Sequence, residues 1–177
     1  SNISDVPEAL KAFISEHTKD VFEKSKVLTA RELEARYDIR LEIYTKKIQI
    51  EARVLGDLIR NHILPTLIKY QNTLIENVKG LKELYPKDQF EVMAEHQLKT
   101  IAEISEKSAI VKDAVDEMIE ARKAANRIES IREKAASYSQ NVVPYFEKIR
   151  YHVDKLELIV DGEIWPFPKY REMLFTR

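Results

Sequence analysis

The chain has no cysteine, three glycines, six prolines and one tryptophan among its 177 residues, and it carries almost no net charge. Each shortage excludes something. Without cysteine there are no disulfides, no thiolate metal ligands and no cysteine nucleophile, which fits a cytoplasmic protein. Glycine and proline are both missing from Glu8 to Leu55 and again from Lys87 to Val143. These are the residues that interrupt helices, so such stretches predict a chain built almost wholly of long helices. Nor do the few present combine into a phosphate loop or a dinucleotide fingerprint. Lys+Arg (29) and Asp+Glu (30) balance to a net charge of -1, with no dense basic block. That argues against nucleic-acid binding. No apolar run approaches the roughly 20 residues that span a bilayer, and no basic-then-apolar signal segment opens the chain, so no membrane association is expected.

What is present is a soluble, charge-laced helical composition, with 44% hydrophobic and 33% charged residues. The length suits one well-buried domain, taken as residues 3–177, with Ser1-Asn2 read as the remnant of a cleaved expression tag. A first helix is expected from a cap at Asp5, with Pro7 in its first turn and Glu8 closing a capping box, fading between Lys24 and Val27. Thr29-Ala-Arg-Glu32 is a second capping box. About fifty helical residues should follow it, with Pro65 kinking the helix near Asn61 and Gly80 available as its C-cap.

Along that long helix Leu33, Tyr37, Leu41, Tyr44, Ile48, Ala52, Leu55 and Ile59 recur every three or four residues. A second apolar set, Ile39, Ile43, Ile50, Val54 and Leu58, is turned roughly 140° from the first at 100° per residue. One apolar face suffices for a surface helix, so two predict a central helix covered on both sides, by the first helix or by another subunit. After Leu84-Tyr-Pro-Lys87, Asp88 and Glu91 form a third capping-box pattern. The helix beyond it should bury Phe90, Ala94, Leu98, Ile101, Ile104, Val111, Val115 and Met118 and run to Gln140. Pro144 either starts a fourth helix capped by Asn141 or kinks a continuous one. Trp165, Phe167, Tyr170, Met173, Leu174 and Phe175 make a Pro/aromatic tail. Exposure of so much apolar area is costly, so the tail should dock on a helical surface, its own or a neighbour's. The expected architecture is all-α, an antiparallel bundle of long helices ending in that tail.

No chemistry-bearing constellation stands out. A di-iron site in a bundle needs Glu-x-x-His on two helices, but the residues three before His17, His62, His96 and His152 are Ile14, Ile59, Met93 and Ile149. The densest acidic group, Asp113, Asp116, Glu117 and Glu120, is interleaved with Lys112, Arg122 and Lys123, as expected of surface ion pairs. No catalytic, cofactor-binding or metal-ligating residue is therefore expected in this chain.

Three segments resemble a known family. They are Glu51-Ala-Arg-Val-Leu-Gly-Asp-Leu-Ile-Arg-Asn-His-Ile-Leu-Pro65 with Lys69-Tyr-Gln-Asn72; Val115-Asp-Glu-Met-Ile-Glu-Ala-Arg122; and Ile149-Arg-Tyr-His-Val-Asp-Lys-Leu-Glu157 with Glu163-Ile-Trp-Pro-Phe-Pro-Lys-Tyr-Arg-Glu-Met-Leu-Phe175. Together they are similar to the C-terminal domain of type III glutamine synthetase. The resemblance implies a parent enzyme, a glutamate–ammonia ligase using ATP and Mg or Mn, assembled as two stacked hexameric rings. Its ligand motifs lie upstream of this segment, and none is carried onto a residue here. The chain would then be a non-catalytic helical extension for subunit packing or regulation, its partners the rest of the parent chain and neighbouring subunits. The alternative is an independent helical interaction module.

Overall fold

The computed structural model describes residues 5–174, and every regular element among them is a helix. In chain order these are α1 (Val6–Leu10), α2 (Glu16–Lys24), α3 (Ala30–Leu58), α4 (Leu64–Leu84), α5 (Lys87–Met93), α6 (Glu95–Asn126), α7 (Ile131–Asn141), α8 (Pro144–Ile159) and α9 (Tyr170–Met173). A 3-10 turn, Lys11–Ile14, follows α1, and a π turn, Ile59–Ile63, joins α3 to α4. The chain divides into two compact units, Ser1–Val54 with Glu117–Phe146 and Leu55–Asp116 with Glu147–Arg177. The tag reading of Ser1-Asn2 and the tail residue Phe175 lie outside the described residues.

The caps explain where the helices begin. Asp5 accepts from the Glu8 N–H and opens α1, as expected. The single first helix does not hold, however. Ser15 is extended and accepts from the Thr18 N–H, so it caps a separate helix, α2. A serine competes with helical backbone for its own neighbours' N–H groups, and here it ends one helix and starts another. At the end of α2, Lys26 takes φ 55, while the N–H groups of Lys26 and Val27 reach back to the carbonyls of Glu23 and Phe22. This is a Schellman closure made without glycine. Thr29 and Glu32 form the expected reciprocal box. The Thr29 N–H and hydroxyl both donate to Glu32 at 2.8 Å, and Thr29 Oγ1 accepts from the Glu32 N–H at 3.3 Å.

Pro65 acts one turn before itself. It has no N–H for the carbonyl of Asn61, and the backbone widens into the π turn, with the Leu64 N–H bonded to the Ile59 carbonyl. Gly80 is not a cap. It sits inside α4, which runs on to Leu84 and ends where Pro86 forces Tyr85 into an extended conformation. A Cβ at Gly80 would meet nothing within 4 Å. Gly80→Ala should therefore stabilise the protein by about 0.5–1 kcal/mol, read as a higher midpoint in urea at unchanged m-value.

Two other expected boundaries move. Asp88 lies within the first turn of α5 and caps nothing; Pro86 is the N-cap residue and no side chain bonds there. The helix expected to reach Gln140 stops at Asn126, because Ser130 accepts from the Glu133 N–H and starts α7. The Ser130-Ile-Arg-Glu133 spacing is itself a capping signal. Pro144 begins α8, while Asn141 is the last residue of α7 and not a cap.

In the first unit, Tyr37, Leu41 and Ala135 form a buried cluster, against which Leu10, Phe13, Ile14 and Tyr44 pack. Leu33, Ile48, Ala52, Met118, Ala125, Tyr138 and Val142 are also buried there. Gln49 donates to Asn126 at 3.2 Å and Arg132 to Asp38 at 3.0 Å. In the second unit Ile59, Ile63, Leu67, Ala94, Ile104, Val111, Val115, Ile149, Leu156, Val160 and Trp165 are buried. There Gln71 donates to the Ile101 carbonyl and to Ser105, and Gln97 to Asn77. Residue numbers rise along α4 as they fall along α6, so these two helices run in opposite directions. Leu98, placed in the buried stripe by its spacing, is instead 44% exposed.

Candidate interaction surface

The inward stripe of α3 behaves as its spacing requires: Leu33, Tyr37, Leu41, Ile48 and Ala52 are buried. The second stripe does not. Ile39, Ile43, Ile50 and Val54 are 54%, 61%, 61% and 50% exposed and Leu58 is half-buried, so from Ile39 to Val54 the α3 helix is covered on one side only. The reason lies in the helix before it. Leu10, Phe13 and Ile14 pack on Tyr37 and Leu41, so the first segment of the chain serves the inner face and leaves the outer one open.

At its N-terminal end this open face becomes concave. Val6 and Leu10 of α1 form one wall and Ile39 and Ile43 of α3 the other, bounding an open groove of about 840 Å³ also lined by Glu32, Ala35, Arg36, Arg40 and Tyr44. Its charges are unequal in availability. Glu32 is engaged by Thr29, whose backbone and side-chain bonds hold its carboxyl below the usual range. Arg40 lies over the Phe13 ring at 5.1 Å. Among the described residues neither Arg36 nor Arg40 has a carboxylate within ion-pair distance. Further along α3 the lysines are paired, Lys46 with Glu42 at 2.7 Å and Lys47 with Glu51 at 3.9 Å.

The second unit carries a charged cluster at the π turn. Arg60 pairs with Asp116, which also accepts from Lys112 at 3.0 Å. The hydrogen bond from Arg60, then that from Lys112, holds the Asp116 carboxyl below its ordinary value. All three side chains are largely exposed, so the cluster is a surface ion-pair network of small energetic weight. Ion pairing also accounts for Glu120, which binds Lys123 at 2.6 Å. His17, His62 and His96 are exposed, and His152 is half-buried beside Tyr151. No group of three or more His, Asp or Glu side chains among the described residues is arranged to hold a metal ion. Nor is any of the described helices long and apolar enough to cross a membrane.

The first part of the tail packs within the second unit, whereas Met173 and Leu174 are 55% and 65% exposed and the Tyr170 side chain lies outside the described ones. Trp165 is buried, the Phe167 ring stands edge-on to His62 at 5.8 Å, and Lys169 Nζ donates to the carbonyls of Val160 at 2.7 Å and Glu157 at 3.0 Å. A lysine at this position satisfies the last carbonyls of α8 and places a cation at the negative end of the helix dipole. Sequence reasoning found the aromatics but missed Lys169. It also missed the groove, whose sign was the Ser15 cap that shortens the first helix.

Residues 1–83 match the family model described as glutamine synthetase C-terminal domain. All 177 residues are 46% identical to a glutamine synthetase of Bacteroides fragilis and 32% identical to a type-3 glutamine synthetase of Dictyostelium discoideum. A glutamine synthetase of Butyrivibrio fibrisolvens is 26% identical over 175 residues. In each case the chain spans 24% of the relative's length. The first 83 residues thus match the glutamine synthetase C-terminal domain family, and the whole chain is similar to about a quarter of the length of enzymes that include a type-3 glutamine synthetase.

Proposed function

We propose that this chain is the non-catalytic C-terminal helical part of a larger, cytoplasmic type III glutamine synthetase, and that it contributes to packing of the parent homo-oligomer. In this reading residues 3–177 act as one antiparallel helical extension. The parent joins ammonia to glutamate using ATP and a divalent metal held by residues outside this chain. The observation that carries the packing role is the open stripe Ile39, Ile43, Ile50 and Val54 on a helix whose other face is buried. Four β-branched side chains on one face of a long helix form two apolar pairs, Ile39 with Ile43 and Ile50 with Val54, on either side of Lys46 and Lys47, and such a face favours burial against a protein surface.

The test contrasts the chain with the enzyme that contains it. Ile50→Asp should change the stability of the 177-residue chain by no more than about 0.5 kcal/mol, because the side chain is exposed there. In the full-length enzyme the same substitution should place an unpaired charge in a contact and reduce the assembled fraction seen by light scattering. The isolated chain should form no glutamine from ATP, glutamate, ammonia and magnesium. Unaltered assembly of the variant enzyme, or turnover by the chain alone, would refute the reading.

A further inference from the structure

We propose that the groove between α1 and α3 is a docking site for an acidic amphipathic helix. The inference deepens the packing role and rests on it only in taking this face of α3 to be an interface. From Glu32 to Tyr44 the groove follows thirteen residues of α3, whose ends at 1.5 Å per step lie about 18 Å apart, or some three helical turns. Its walls are apolar: Val6 is 45% exposed on one side, and Ile39 and Ile43 are more than half exposed on the other. A trough of this length between two helices accepts a ridge of apolar side chains spaced by three and four, the helix-in-groove mode of recognition.

Charge decides which helix. The groove wall carries two arginines against one carboxylate, Glu32, whose charge Arg36 partly offsets, and among the described residues neither Arg36 nor Arg40 has a carboxylate within ion-pair distance. A guanidinium at the rim of an apolar contact selects Asp or Glu on the occupant and disfavours Lys or Arg there. A second copy of this chain fits poorly. Stripe against stripe in antiparallel fashion, about a centre between Ile43 and Ile50, would put the Lys46–Glu42 and Lys47–Glu51 pairs of both copies at the middle of the contact, where their desolvation is costly. A bilayer fits poorly too, because a planar surface cannot fill a concave trough.

The experiment uses the 177-residue chain and two fluorescent helical peptides with the same leucine stripe, one flanked by glutamate and one by lysine. Fluorescence anisotropy at low salt should show the glutamate peptide binding about tenfold more tightly, with the difference shrinking as salt is added. Arg36→Glu should abolish or invert that preference, and Ile43→Ser should weaken both peptides. Both positions are exposed, and circular dichroism melts confirm that the variants fold. If Ile43→Ser does not fold, Arg36→Glu alone decides. Equal affinity for the two peptides, or a preference unchanged by Arg36→Glu, overturns the proposal. So does dimerisation that excludes the glutamate peptide, or binding of phosphatidylserine vesicles without binding of that peptide. These results leave the assembly test of Ile50→Asp unaffected, so the two readings fail separately.

Discussion

Replacing Tyr138 by alanine should destabilise the protein by about 3–5 kcal/mol, the effect of removing a large, fully enclosed aromatic side chain. Tyr138 lies on α7 with no exposed surface, and its hydroxyl donates to Asn126 Oδ1 at 2.7 Å. The same oxygen accepts from Gln49 at 3.2 Å, so one amide gathers α3, the end of α6 and α7 in the first unit. Tyr138→Phe separates the two contributions: the ring stays, Asn126 keeps its bond from Gln49, and the loss should be about 1 kcal/mol. Urea denaturation of both variants reads the difference. Equal losses would mean that the ring is not the source of the stability. A pH scan gives a second check. Burial raises the Tyr138 pKa above its ordinary 10.0, so the folded state holds this proton more tightly than the unfolded one. The associated stability is therefore complete below pH 10.0 and falls as the pH rises above it, and in Tyr138→Phe that part of the alkaline decline should disappear.

Trp165→Ala should have an effect of similar size in the second unit. An Asx turn delivers this side chain: Asp161 Oδ1 accepts from the Glu163 N–H at 2.9 Å, and the Asp161 carbonyl accepts from the N–H groups of Ile164 and Trp165. Pro166 and Pro168 then restrict the segment before it orders, which lowers the entropy lost on docking. With Trp165 only 7% exposed, truncation to alanine should cost about 3–5 kcal/mol. At roughly 2–4 °C per kcal/mol for a chain of this size, the melting temperature should fall by about 6–20 °C. Trp165 is the only tryptophan, so intrinsic fluorescence reports on it alone. Asp161→Ala, which removes the side-chain bond of the turn, should shift the emission to the red if the tail loosens. A melting temperature unmoved by Trp165→Ala would show that the tail is not anchored.

Much of this protein was determined locally and is legible in the sequence. The all-helical class follows from the two long stretches free of glycine and proline. The Asp5 and Thr29 caps and the Pro65 disturbance rest on contacts within a few residues, whose spacing the chain itself carries. The misread boundaries are local competitions decided elsewhere. Ser15 and Ser130 act as caps where an unbroken helix was equally compatible with propensity, and Gly80 stays helical because the chain is turned only at Pro86.

Tertiary structure alone decided what covers each apolar surface. The two stripes of α3 are alike in composition, and nothing in their spacing says that Leu10, Phe13 and Ile14 go to Tyr37 and Leu41 and leave Ile39 and Ile43 bare. Periodicity records that a face is apolar, since that property resides in the residues. Which face is buried depends on the free energy of packing one distant segment against another, and only the assembled structure contains that choice.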